Sequence, residues 1–146
     1  MTDSEAGPSY EVLIERGKIR EFAQAMQSES PAYEGGAAIV PPTFLTTAAR
    51  WAPPRARADT GFERARLLHG EQEFVFHGPP PRAGQRLWAS ERIVDRSEKS
   101  GRRGGLMRLA VVVTEFRDDE GTLVAEARST LIERAKAAEK PTEESS

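Results

Sequence analysis

Cysteine is missing from this 146-residue chain. Its absence excludes disulfides and thiolate metal ligands. With only two histidines, His69 and His77, a histidine-rich metal site is not expected either. No apolar run reaches the roughly 18 residues of a membrane-spanning helix. Aromatic residues are scarce, at 7%, and the formal net charge of -2 gives no basis for nucleic-acid binding through bulk charge. The opening Met-Thr-Asp-Ser-Glu-Ala-Gly-Pro-Ser lacks the basic start and apolar core of a signal peptide, so a cytoplasmic location is expected.

What is present suits one soluble domain. Hydrophobic residues make up 38% and charged residues 30%, and the length allows one real core but not comfortably two. Pro41 and Pro42 end an extended segment, and Pro42 suits the first turn of a helix because its missing N–H would find no partner there. Phe44, Leu45, Ala48, Ala49 and Trp51 then leave few positions for water, which predicts a short buried helix over 43–51. A sheet wrapped around this helix would bury it, and so would the core of some other α+β domain.

Residues 1–9 are small and polar and expected to be disordered, and the folded domain is expected over 10–134. Tyr10 to Ile14 reads as extended. Ile19, Phe22, Ala23 and Met26 recur at helical spacing, which predicts an amphipathic helix over 17–26. Proline and glycine break it across 28–36, and Pro53 and Pro54 open a polar loop to 63. Four strands are predicted over 66–77, 85–95, 106–117 and 122–133, with a glycine-rich turn over 97–105. In the third, Leu109, Val111 and Val113 alternate with Ala110, Val112 and Phe116, so both faces are apolar and the strand is central. Asp118-Asp119-Glu120-Gly121 predicts a hairpin turn. A charged, disordered tail is expected over 135–146. The order gives an α+β fold with one antiparallel sheet covering helices on one face.

Several segments together carry a family likeness. Leu68-His69-Gly70-Glu71-Gln72-Glu73-Phe74, then His77, then Arg82-Ala83-Gly84, resembles the N-terminal domain of MaoC-like dehydratases, also called FAS1-like dehydratases. Glu98 to Gly105, Thr114-Glu115-Phe116-Arg117 with Asp119 and Gly121, Ala127 to Leu131, and Pro41-Pro42-Thr43-Phe44 continue the likeness. It runs from about Tyr10 to Glu133. The resemblance implies a hot-dog fold, a curved antiparallel sheet wrapped around a central helix. It also implies reversible dehydration of 3-hydroxyacyl thioesters, carried on coenzyme A or acyl carrier protein, with no other cofactor.

That chemistry needs an acid and base to move protons and a donor to stabilise the thioester oxyanion. In catalytic members of the family the first is an Asp-x-Asn-Pro-x-His segment. The second is a glycine N–H at the start of the central helix. Alignment on Pro31 places Ser28 at the aspartate, Ser30 at the asparagine and Tyr33 at the histidine. Serine is no base without an activating partner, and tyrosine, with an ordinary pKa near 10, is a poor one. Pro42 falls at the glycine and has no N–H to offer. Loss of one oxyanion donor alone can cost about a hundredfold to a thousandfold in rate. No catalytic residue is therefore assigned. The resemblance implies a non-catalytic half that shapes an acyl tunnel beside a homologous catalytic subunit.

For substrate contacts, Thr43 and Phe44 are assigned to the acyl pocket. Arg102 and Arg103 suit coenzyme A phosphates, although a hairpin turn with ordinary surface charge explains them too. His77 and His69 read as satisfied strand histidines rather than relocated bases. Glu29, beside the missing aspartate, reads as a solvated loop carboxylate. Trp88 suits the core or an interface. Two further functions are weighed: an acyl-thioester-binding homodimer without chemistry, and, ranked last, a thioesterase of the same fold. The thioesterase would need a carboxylate on or beside the helix, and residues 43–51 hold none.

Overall fold

The computed structural model describes residues 4–102 and 105–135. Its strands are β1 (Tyr10–Leu13), β2 (Leu67–Phe76), β3 (Arg86–Ser100), β4 (Leu106–Arg117) and β5 (Leu123–Glu133), and its α-helix is α1 (Arg16–Ala25). The strands pair antiparallel in the order β1-β3-β4-β5-β2, which makes β4 central and leaves β1 and β2 at the edges. On one face of the sheet, Leu87, Ala89, Phe116, Ala125 and Ala127 pack against Ile19 of α1 and against Phe44, Leu45 and Ala48. Burying a side chain such as Ile19 contributes about 2 kcal/mol.

The stretch predicted as a buried helix over 43–51 is instead a 3-10 helix, Phe44–Arg50. Proline pairs on both sides keep it short, and the Thr47 hydroxyl bonds back to the Phe44 carbonyl at 2.8 Å. Nor is it apolar all round, since Thr46 and Arg50 are exposed and Trp51 is 55% exposed. Ten-residue α1 is the longer helix on that face.

The chain then crosses the sheet as an irregular strap over 51–66, with 3-10 turns at Pro54–Ala56 and Arg64–Arg66. Buried carboxylates hold it. Glu91 on β3 accepts the Ala58 N–H at 2.9 Å, and Glu133 on β5 accepts the Glu63 N–H. They are the two buried charged residues among those described.

Strand β3 runs to Ser100, past the end expected at 95, because Ser97, Glu98 and Lys99 pair with Leu109, Arg108 and Met107. Ladder bonds are made by the backbone, so charged residues can extend a strand whose side chains face water. Part of the segment 1–9, expected to be disordered, lies along β3: the Ser4 N–H bonds to the Ile93 carbonyl and the Gly7 N–H to the Glu91 carbonyl, both at 2.9 Å. Residues 1–3, and the charged tail beyond Ala135, lie outside the described residues. The hairpin at Asp118 forms as expected, with Gly121 at φ +82 and the Asp118 carboxylate accepting the Glu120 and Thr122 N–H groups.

The Glu63 N–H bond first, and then the Arg108 and Arg66 charges, hold the Glu133 carboxyl below its ordinary pKa. A folded pKa below the unfolded one gives stability that is present above the ordinary glutamate range. It is lost as pH falls through the folded value. Thermal unfolding followed from pH 7 downward should therefore show an acid-induced loss of stability. Glu133→Gln should start less stable at pH 7 and lose less on acidification.

Candidate functional site

Between the strap and the sheet lies a cavity of about 610 Å³. Its roof is Leu45, Thr46, Ala48, Ala49, Ala58 and Arg64. Its floor comes from all five strands, with Val112 and Phe116 of β4 at the centre. Leu67, His69 and Gln72 carry the cavity to β2, the edge of the sheet. The position of His69 depends on a bulge. The β2–β5 register shifts between His69 and Glu71, so His69 opposes Leu131 while Gln72, three residues on, opposes Ser129. Both then line the cavity, where a regular strand would send them to opposite faces. Gly70 occupies the bulge, and a Cβ there would sit 2.7 Å from Ile132 Cδ1.

Two polar groups are built into one end. Glu91 is 6% exposed, with Arg57 Nε 3.6 Å from its second oxygen. Tyr10 is 5% exposed, and its hydroxyl has no hydrogen-bond partner among the described residues. Burial, then the charge of Glu91, pushes the phenol up to about 12, against the opposing pull of Arg57. Tyr10 is therefore a neutral donor at physiological pH.

A second groove, about 580 Å³, lies on the other side of the 3-10 helix. Val12, Phe22, Phe44 and Trp51 form its apolar wall and Lys18, Glu21 and Arg50 its charged rim. Thr46 belongs to both spaces.

The residues singled out from sequence fall in different places. Phe44 is 4% exposed, packs edge-on against Phe22 at 5.5 Å and lines the groove rather than the cavity. Thr43 precedes the 3-10 helix and is exposed. Arg102 is exposed in the β3–β4 turn, and Arg103 lies outside the described residues. Ser28 and Ser30 are turn-formers: their hydroxyls accept the N–H groups of Ser30 and Ala32, both at 3.3 Å. Tyr33 is half-buried beside Arg16 and Arg20, and Glu29 is exposed. His77 bonds to Glu126 at 2.8 Å, and the Trp88 indole N–H donates to Asp119 at 3.0 Å. Sequence reasoning missed Tyr10, Glu91 and Gln72. The signal available was a polar residue at inward-facing strand parity, visible only once the register is known.

The chain matches the family described as FAS1-like, dehydratase domain region, over residues 5–127. A UPF0336 protein of Saccharopolyspora erythraea is 34% identical over 141 residues, covering 89% of this chain and 85% of that protein. Among solved structures, a chain of the C-terminally truncated HadBC (3R-hydroxyacyl-ACP dehydratase) complex from Mycobacterium tuberculosis superposes with a TM-score of 0.69 at 29% identity, covering 86% of this chain and 95% of that one. The ChsH1–ChsH2 complex from the same organism gives a TM-score of 0.71 at 13% identity, with coverage of 93% and 90%, and speaks to the fold alone. The curved five-stranded antiparallel sheet with its few helices is the hot-dog arrangement of these structures.

A buried hydroxyl without a partner costs about 1–3 kcal/mol. Tyr10→Phe should therefore stabilise the isolated chain by about 1 kcal/mol, raising Tm by about 3 °C. Differential scanning calorimetry checks this. An unchanged or lower Tm would mean that the hydroxyl has a partner after all.

Proposed function

The chain belongs to the FAS1-like dehydratase domain family, and on that premise we propose that it is the non-catalytic half of a (3R)-hydroxyacyl-thioester dehydratase. A homologous hot-dog subunit supplies the acid and base, and this chain supplies part of the acyl-binding channel. The observation that carries the reading is the cavity's course: it lies under the strap and reaches β2, an edge strand of the sheet among the described residues. A second hot-dog sheet added at that edge would meet the cavity's mouth.

The state of the positions aligned with the family's catalytic segment supports the same reading. The Ser28 and Ser30 hydroxyls are engaged in shaping a turn, and Tyr33 lies beside Arg16 and Arg20. Pro42 precedes the 3-10 helix without an N–H to polarise a thioester. Likeness to a chain of a hydroxyacyl-ACP dehydratase complex agrees with a two-subunit enzyme. Phe44, which lines the groove flanking the channel, and Thr43 are assigned to the acyl pocket, and Arg102 and Arg103 to the phosphates of coenzyme A. Substrate arrives on coenzyme A or on acyl carrier protein.

Two measurements test this. The purified chain alone should not hydrate a crotonyl thioester, and activity should appear on mixing with a hot-dog protein that carries Asp-x-Asn-Pro-x-His. Full activity of the chain alone would contradict the proposal. A complete failure of every such partner to associate would favour an acyl-binding homodimer. In the active pair, Ala49→Trp should fill the cavity, raising KM for long acyl thioesters about tenfold or more. The crotonyl substrate should be little affected. Equal effects on both would remove the cavity from the acyl path.

A further inference from the structure

Strand β2 is an edge strand among the described residues, and its ten residues are divided by chemistry. Leu67 and Leu68 stand at one end and Phe74, Val75 and Phe76 at the other, with Glu71, Gln72 and Glu73 between them. Leu68 is 46% exposed, and the three apolar residues at the far end are half-buried. Glu71 opposes Thr130 and Glu73 opposes Arg128, whereas Gln72 opposes Ser129. Gln72 and Ser129 line the cavity. The alternation of a strand therefore puts Glu71 and Glu73 on the other face of the sheet, away from the strap.

Both carboxylates are exposed, and neither has an ion pair among the described residues. Arg128, the cation across from Glu73, lies 3.8 Å from Glu126, to which His77 also bonds. Two copies of this chain joined through β2 would pair antiparallel about a two-fold axis, each strand meeting its own counterpart. Opposite residues in such a pair share a face. A contact centred on Glu71 or on Glu73 sets that carboxylate against itself, and one centred on Gln72 sets Glu71 against Glu73. Like charges directly opposite destabilise a strand pair, and charge on an edge is one way a sheet avoids its own copies. The apolar ends act in the other direction, since covering them removes apolar surface from water.

We infer that Glu71 and Glu73 select the partner at this edge: they oppose self-pairing and favour a homologous hot-dog subunit that carries lysine or arginine on the matching face of its own edge strand. This rests on the two-subunit reading given above and adds the chemistry of the partner. The apolar ends attract either partner, and the carboxylates supply the difference between them. Neither glutamate takes part in bond making.

The test compares the full chain with its Glu71→Gln/Glu73→Gln double variant. Both side chains are exposed, so the variant keeps its fold. Sedimentation velocity at low and at high salt measures self-association, and titration calorimetry measures pairing with the hot-dog protein of the active pair. At low salt the double variant should self-associate about tenfold more tightly than the unaltered chain. The difference should shrink at high salt, which screens exposed charges. The variant should also bind the partner about tenfold more weakly. Equal self-association of the two proteins at low salt, or a partner affinity that the double variant leaves unchanged, would overturn the inference and leave the two-subunit enzyme standing. No association of the unaltered chain with any partner would overturn both.

Discussion

Two carboxylates inside the protein keep the strap away from the sheet. The segment over 51–66 has only two short 3-10 turns of its own, so its backbone N–H groups need partners elsewhere. Glu91 and Glu133 provide them from different strands, one for Ala58 and one for Glu63. Each acid is in turn faced by arginine: Glu91 by Arg57, and Glu133 by Arg108 and Arg66. A buried charge is tolerable only when paired and hydrogen-bonded in this way, and removing one partner leaves the remainder uncompensated. The strap is therefore held at two points, and the space beneath it, over Val112 and Phe116, is the cavity.

The same economy of backbone partners supports the proposal that the acid and base come from another subunit. Positions that would carry an acid, an amide and a base in a catalytic relative carry Ser28, Ser30 and Tyr33, and the serine hydroxyls are used to close a turn. Pro42 before the 3-10 helix removes the amide that could stabilise an oxyanion. A fold can be retained while its chemistry passes to another chain, and function has to be argued from the site. Here the site is a shaped, partly polar channel that reaches a sheet edge.

Much of the fold was legible in the sequence. Alternation in Leu109 to Phe116 placed β4 at the centre, and the spacing of Ile19, Phe22 and Ala23 placed α1 against the sheet. The hidden part was register. Periodicity reports which residues share a face within a regular strand, but bulges at Gly70 and next to Ile93 reset that parity. His69 and Gln72 became neighbours in one cavity only through the first of these. Nothing in the sequence marks Glu91 and Glu133 as buried, because the groups that satisfy them lie 33 and 70 residues away in sequence. The stretch over 43–51 misled for a different reason. Its apolar content suited a buried helix, while its flanking prolines and threonines allowed only a short 3-10 turn.

Photo-crosslinking with an acyl thioester that carries a diazirine along its chain, followed by peptide mapping, tests the acyl-channel account most directly. The account predicts labels on the roof and floor of the cavity, at residues such as Ala48, Ala49, Val112 and Leu131, both in the chain alone and in an active pair. Labels confined to the Phe22–Trp51 groove, or to the turn holding Ser28 and Tyr33, would contradict it.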